Sequence, residues 1–121
     1  MSLSDLERVA TAMVAKDKGL LAADESTTTI GKRFAKIGLE STAEQRRSYR
    51  EMLFATPGVA QWISGVILYD ETIRQKKQDG TPFVKAIGGA GIIPGVKVDT
   101  GAKDLAFHPN EKVTEGLDRC V

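Results

Sequence analysis

Three apolar runs in this chain each stop in charge. Leu20-Leu21-Ala22-Ala23 ends at Asp24-Glu25-Ser26, Gly65-Val66-Ile67-Leu68-Tyr69 ends at Asp70-Glu71, and the run from Ile92 to Val98 carries Lys97 and ends at Asp99. Asp24 leads into Ser26, Thr27, Thr28 and Thr29 at the expected start of a helix. Free N–H groups and the helix dipole favour an anion there, so a phosphate fits. The same residues also serve as a plain helix cap. Lys97, flanked by Val96 and Val98, must either reach water along its stem or meet an anion. Its ammonium suits a phosphate or a carboxylate such as Asp24, and if burial lowers its pKa it suits a Schiff-base nucleophile. Lys32 and Arg33 follow on the same expected helix and Arg46 and Arg47 on the next, where charges ordinarily form solvated faces. His108 stands in a loop-like stretch without the His, Cys or acidic spacing of a metal site. Trp62 and Tyr69 read as core. Gly88-Gly89-Ala90-Gly91 precedes a strand instead of following one, the wrong order for a dinucleotide fingerprint or a P-loop.

These residues need elements to hold them. Leu3, Leu6, Val9, Ala10, Met13 and Val14 line one helical face, with Ser4 and Glu7 in the form of a capping box and Gly19 as the stop. The run Leu20 to Ala23 reads as a strand buried on both faces. Thr27 to Ile37 puts Ile30, Phe34 and Ile37 on one stripe and closes on Gly38. Ser41-Thr42-Ala43-Glu44 offers a second capping box leading to Tyr49, Met52 and Leu53, and Pro57-Gly58 ends that segment. A turn-rich stretch from Gln75 to Thr81 and a helical turn from Pro82 to Ile87 lead to the third run. Apolar strands alternating with helices predict right-handed βαβ units and a parallel sheet, not hairpins. In such sheets ligands meet the carboxyl ends of the strands, where Asp24, Asp70, Glu71, Lys97 and Asp99 all fall.

Composition sets the outer limits. The 121 residues are 41% hydrophobic and 27% charged, the mixture of a globular chain. Seventeen Lys and Arg against sixteen Asp and Glu leave a net charge of +1, so no global field argues for nucleic acid or an anionic membrane as partner, neither of which is expected, and any basic function must be local. No apolar stretch approaches the roughly 20 residues of a spanning helix. The segment Met1 to Met13 is amphipathic with Asp5 and Glu7, unlike a secretory signal, and the single Cys120 cannot form an intramolecular disulfide. A reducing cytoplasm is the expected compartment.

Several stretches, taken in order, resemble class I fructose-bisphosphate aldolases. They are Lys18-Gly19-Leu20-Leu21-Ala22-Ala23-Asp24-Glu25-Ser26-Thr27, Ile30 with Lys32-Arg33, Ile37-Gly38, and Arg46-Arg47 with Tyr49-Arg50. Gly65-Val66-Ile67-Leu68 followed by Glu71-Thr72, Asp79-Gly80 with Pro82-Phe83, and Gly95-Val96-Lys97-Val98-Asp99 with Gly101 complete the likeness. It spans about residues 4 to 118.

The resemblance implies a (β/α)₈ TIM barrel of which this chain holds the first three βα units, with an N-terminal helix over 1–18 and the strand–helix units over 19–121. It implies reversible cleavage of fructose 1,6-bisphosphate to dihydroxyacetone phosphate and glyceraldehyde 3-phosphate in glycolysis and gluconeogenesis. The route is a lysine Schiff base with no metal or other cofactor, and the full-length protein is usually a homotetramer. Residue by residue, Asp24 matches the family's active-site aspartate and Lys97 the lysine beside it. Ser26 matches a phosphate-contacting serine, Thr29 stands where many members have serine, and Arg33 and Arg46 match phosphate-binding arginines. No lysine present matches the Schiff-base nucleophile. Arg119-Cys120-Val121 departs from the family pattern, as a shifted reading frame or a cut boundary would produce. Since such a barrel takes about 250 residues, the chain alone is expected to lack turnover. Two further readings stand beside the enzyme: a partial barrel acting as an assembly or sugar-phosphate-binding module, and a small phosphate-binding α/β domain outside the family.

Overall fold

The computed structural model describes residues 2–120, with the side chains of Arg119 and Cys120 outside the described set. The expectations about Cys120 and about the closing Arg119-Cys120-Val121 therefore lie outside the described residues. In chain order the elements are α1 (Leu3–Met13), β1 (Gly19–Ala23), α2 (Thr27–Ala35), α3 (Ala43–Phe54), α4 (Val59–Trp62) and β2 (Ile63–Leu68). There follow α5 (Asp70–Ile73), α6 (Phe83–Gly89), β3 (Ile93–Val96), β4 (Ala102–Asp104), β5 (Lys112–Thr114) and a 3₁₀ turn at Leu117–Cys120. β1, β2 and β3 form one parallel sheet in that order, as the alternation of strands and helices predicts. β4 and β5 form a separate antiparallel hairpin. The sequence reading missed that hairpin, because its two three-residue strands are too short to show alternation.

Register explains both the core and its one bare side. Leu20 pairs with Gly65 and Gly65 with Ile93, while Ala23 pairs with Leu68 and Leu68 with Val96. Residues two apart share a face, so Ala23, Val66 and Leu68 lie together under the helices and join Phe83, Ile87 and Ile92 in a buried cluster. Phe54 meets Phe83 edge to face at 5.6 Å between centroids. On the other face Leu20, Ala22 and Ile67 are exposed. The expectation of a first strand buried on both sides is thus corrected: helices cover one face, and nothing among the described residues covers the other. A Cβ on Gly65 would come within 2.8 Å of the Leu20 side-chain end and 3.4 Å of the Ile93 carbonyl oxygen, so a larger residue there would have to turn the exposed Leu20 aside.

Local capping departs from the expected pairs in two places. α1 is capped by Ser2 with Asp5 rather than by Ser4 with Glu7, and β1 begins at Gly19, so that glycine does not end the helix. α3 is capped by Thr42, whose hydroxyl accepts from the Gln45 N–H at 3.1 Å. Ser and Thr are interchangeable caps, so adjacent hydroxyls leave the first residue undecided. α2 starts where expected and ends at Ala35, two residues short of the expected Ile37, with Gly38 still closing it. Ser26 accepts from the Thr29 N–H, and Gly38, at φ 69°, lets Leu39 and Gly38 donate back to Phe34 and Ala35. Ile30 and Phe34 are buried on it, whereas Ile37 is 75% exposed. Trp62 is likewise a correction, being 67% exposed at the end of the short α4, not core.

Candidate active site

β1 delivers Asp24 one residue past its carboxyl end, and Lys97 follows directly on β3, with its N–H bonded to the Leu68 carbonyl at 2.8 Å. β2 lies between them, so the two side chains meet across it at the sheet edge, Lys97 Nζ standing 3.7 Å from Asp24 Oδ2. A second carboxylate, Asp99, is closer, at 2.5 Å from the same nitrogen, and its other oxygen accepts from the Gly101 N–H. The hydrogen bond from Lys97 to Asp99, with the charges of Asp99 and Asp24 behind it, holds the ammonium above its ordinary pKa against the pull of burial. Asp99 is lowered in turn by the same bond. Lys97 is therefore a fixed positive charge, and the nucleophile left open by the sequence is not the role its surroundings favour.

Beside Lys97 and Asp99 lies an open cleft of about 580 Å³ lined by Ser26, Tyr69, Glu71, Lys97, Asp99 and Thr100, among others; Asp24 touches it only through Lys97 and is not part of its wall. Ser26 Oγ is 3.0 Å from Thr29 Oγ1, so the two hydroxyls share the first turn of α2, though Thr29 does not reach the cleft wall. The far wall is braced by the hairpin: the Thr100 N–H donates to the Glu115 carbonyl at 2.8 Å. A hollow of similar volume at the hairpin tip surrounds Phe107 and His108, but Lys112 there is paired with Asp104 at 2.6 Å. Among the described residues no group of three His, Cys, Asp or Glu is placed to hold a metal ion.

The arginines stand one step back from the cleft. Arg46 is held in a two-pronged bond by Glu71, Nε to Oε2 at 2.8 Å and a terminal nitrogen to Oε1 at 2.6 Å, and also reaches the Ser41 carbonyl. That fork lowers the Glu71 carboxyl and raises the guanidinium. Arg33, half-exposed on α2, is paired with Glu25. The other oxygen of Glu25 is taken by Arg50, which is only 3% exposed and also donates to the Glu25 carbonyl at 2.9 Å. Burial works to raise Glu25, but its backbone bond and the two arginines outweigh it, and the carboxyl lies below its ordinary value. Sequence reasoning missed Glu25, Arg50, Glu71 and Asp99 as partners. Their one visible signal was the acidic residue beside each strand end.

The family description Fructose-bisphosphate aldolase class-I matches residues 5–121. The chain belongs to the class I fructose-bisphosphate aldolase family. A protein of Xanthomonas campestris pv. campestris named "Probable fructose-bisphosphate aldolase class 1" is 58% identical over 98% of this chain and 35% of its own length. Fructose-bisphosphate aldolase of Echinococcus multilocularis is 56% identical over 96% of the chain and 32% of its own. A crystal structure of the Plasmodium falciparum enzyme, in complex with TRAP and a small-molecule inhibitor, superposes with a TM-score of 0.88 at 49% identity, over 95% of this chain and 33% of that one. The chain spans about a third of the length of these aldolases. Its fold is the opening of the family's (β/α)₈ barrel. Among the described residues no helix is long and apolar enough to cross a membrane.

Proposed function

We propose that this chain supplies the phosphate-holding opening of an aldolase that cleaves fructose 1,6-bisphosphate reversibly to dihydroxyacetone phosphate and glyceraldehyde 3-phosphate through a lysine Schiff base. The observation that carries the reading is the meeting of Asp24 and Lys97, 3.7 Å apart at the carboxyl edge of β1 and β3, beside the N-terminal turn of α2. In this scheme the Schiff-base lysine is contributed by sequence outside these residues. Asp24 orients and helps protonate the intermediate, and Lys97, as a permanent ammonium, holds hydroxyl and phosphate oxygens. Ser26 offers its hydroxyl and the first turn of α2 its free N–H groups to a phosphate, while Thr29, whose N–H is held by Ser26, acts through its contact with the Ser26 hydroxyl. Arg33 and Arg46 join it by leaving Glu25 and Glu71. Both Lys97 ion pairs are about a third exposed, each worth no more than roughly 1 kcal/mol, so an arriving dianion can displace them. The domain layout in this reading is an N-terminal helix over 1–18 and the first three strand units over 19–121. The compartment is the cytoplasm, where a relative from Arabidopsis thaliana is named cytosolic, and the complete protein is a homotetramer.

The test is steady-state cleavage of fructose 1,6-bisphosphate by the complete barrel polypeptide that contains these residues and the Schiff-base lysine. Asp24→Asn is expected to lower kcat by about a hundredfold or more with KM little changed, and Ser26→Ala to raise KM. Parent-like kcat in Asp24→Asn would remove the proposed role. The exposed Leu20, Ala22 and Ile67 favour a second reading for the isolated piece, a partial barrel that associates through that face.

A further inference from the structure

α3 grips both strand-end loops from one face. Arg46 and Arg50 are one helical turn apart; the first reaches Glu71 after β2 and the second reaches Glu25 after β1. Arg50 is the unusual member. Among the described residues it is one of three buried polar or charged side chains, and its Nε finds no acceptor among them. A buried guanidinium with an unmet donor is a poor stabiliser. Its remaining nitrogens hold both the carboxylate and the backbone carbonyl of Glu25, so side chain and main chain of one residue are fixed together. Glu25 lies between Asp24 and Ser26.

We infer that Arg50 is a positioning residue: acting through Glu25, it sets the β1–α2 turn so that Asp24 faces Lys97 and Ser26 caps α2 toward the cleft. This rests on the proposed aldolase reading for its catalytic consequence, but not for its geometry. The Arg50 ring neighbour Tyr49, 5.5 Å from the guanidinium carbon and edge-on to Phe34, ties the same contact into the α2–α3 packing. Arg33 holds the second oxygen of Glu25 from the solvent side, so it can leave for a phosphate while Arg50 keeps the turn in place.

The experiment compares Arg50→Met, Arg50→Lys, Glu25→Gln and the double variant Arg50→Met/Glu25→Gln in the complete barrel polypeptide, measuring kcat and KM per folded molecule. A misplaced carboxylate is expected to cost about a hundredfold in kcat with KM within about fivefold. Arg50→Lys should recover part of the loss, and the double variant should be no slower than Arg50→Met, because both changes remove one contact. Parent-like kcat in Arg50→Met, or losses that multiply in the double variant, would overturn the inference. If Arg50→Met does not fold, Arg50→Lys and Glu25→Gln decide by the same criteria. If the complete barrel polypeptide that includes these residues shows no cleavage, the aldolase reading fails while the positioning claim is judged by crystal structures of Arg50→Lys and Glu25→Gln. An Asp24–Lys97 separation wider than 3.7 Å supports it and an unchanged one overturns it.

Discussion

Lys97 meets two carboxylates at unequal range, Asp99 at 2.5 Å and Asp24 at 3.7 Å, and that inequality divides their work. Asp99 keeps the ammonium charged and in place, leaving Asp24 free to turn toward a ligand. The sign of the pH dependence follows. Lys97 is raised above 10.5, so its contribution is complete below that value and is lost as pH climbs through the raised pKa. Asp99 is lowered below 3.8, so its contribution is complete above that value and is lost as pH falls through the lowered pKa. Replacing Asp99 by Asn is therefore expected to bring the Lys97 ammonium back toward its ordinary midpoint. Titration of the Lys97 side-chain nitrogen by NMR above pH 10 measures this, and an unmoved midpoint would mean that Asp24 alone holds the charge. Neither role was legible beforehand: spacing of two past a strand end allows Lys97 and Asp99 to share a side, but only the tertiary arrangement sets which carboxylate stands nearer the ammonium.

At the scale of elements, short hydrogen-bonded pieces do the positioning. The β4–β5 hairpin braces the cleft wall through Gly116, at φ 119°, where a Cβ would stand 2.4 Å from the Val98 carbonyl oxygen and 2.9 Å from the Thr100 nitrogen. Gly116→Ala should therefore cost about 3 kcal/mol or more, combining a disfavoured φ with a backbone clash. Gly80→Ala, at φ 85° with nothing within 4 Å, should cost only the φ term of about 1 kcal/mol. Thermal denaturation of the two variants measures the difference, and equal melting temperatures would show that the hairpin does not press on Val98 to Thr100. The helices and parallel strands were readable because each carries a period and a stop, as Ile30, Phe34 and Gly38 show on α2. The hairpin was not, since three residues per strand carry no period. The choice of Ser2 over Ser4 as a cap depends on backbone angles that adjacent serines do not reveal.

For the whole molecule, the sheet is half clothed. Phe83, Ile87, Leu68 and Val66 pack under the helices, while Leu20, Ala22 and Ile67 present the opposite face to solvent. In the proposed mechanism the nucleophilic lysine is not among these residues. Borohydride reduction of the 121-residue chain with dihydroxyacetone phosphate is accordingly expected to leave its mass unchanged. A covalent adduct at any lysine would overturn that expectation and require a new assignment of the nucleophile.

The amino-acid sequence by itself determined the parallel α/β architecture, the family, and the gathering of Asp24 and Lys97 at one sheet edge. These follow from strand order and from which residue ends each strand, and both are written along the chain. Tertiary structure alone decided the partners: Arg50 and Arg33 on Glu25, Arg46 on Glu71, and Asp99 ahead of Asp24 on Lys97. Long charged side chains reach several acceptors from one backbone position, and only the packing of α2, α3 and the strand ends against one another selects among them.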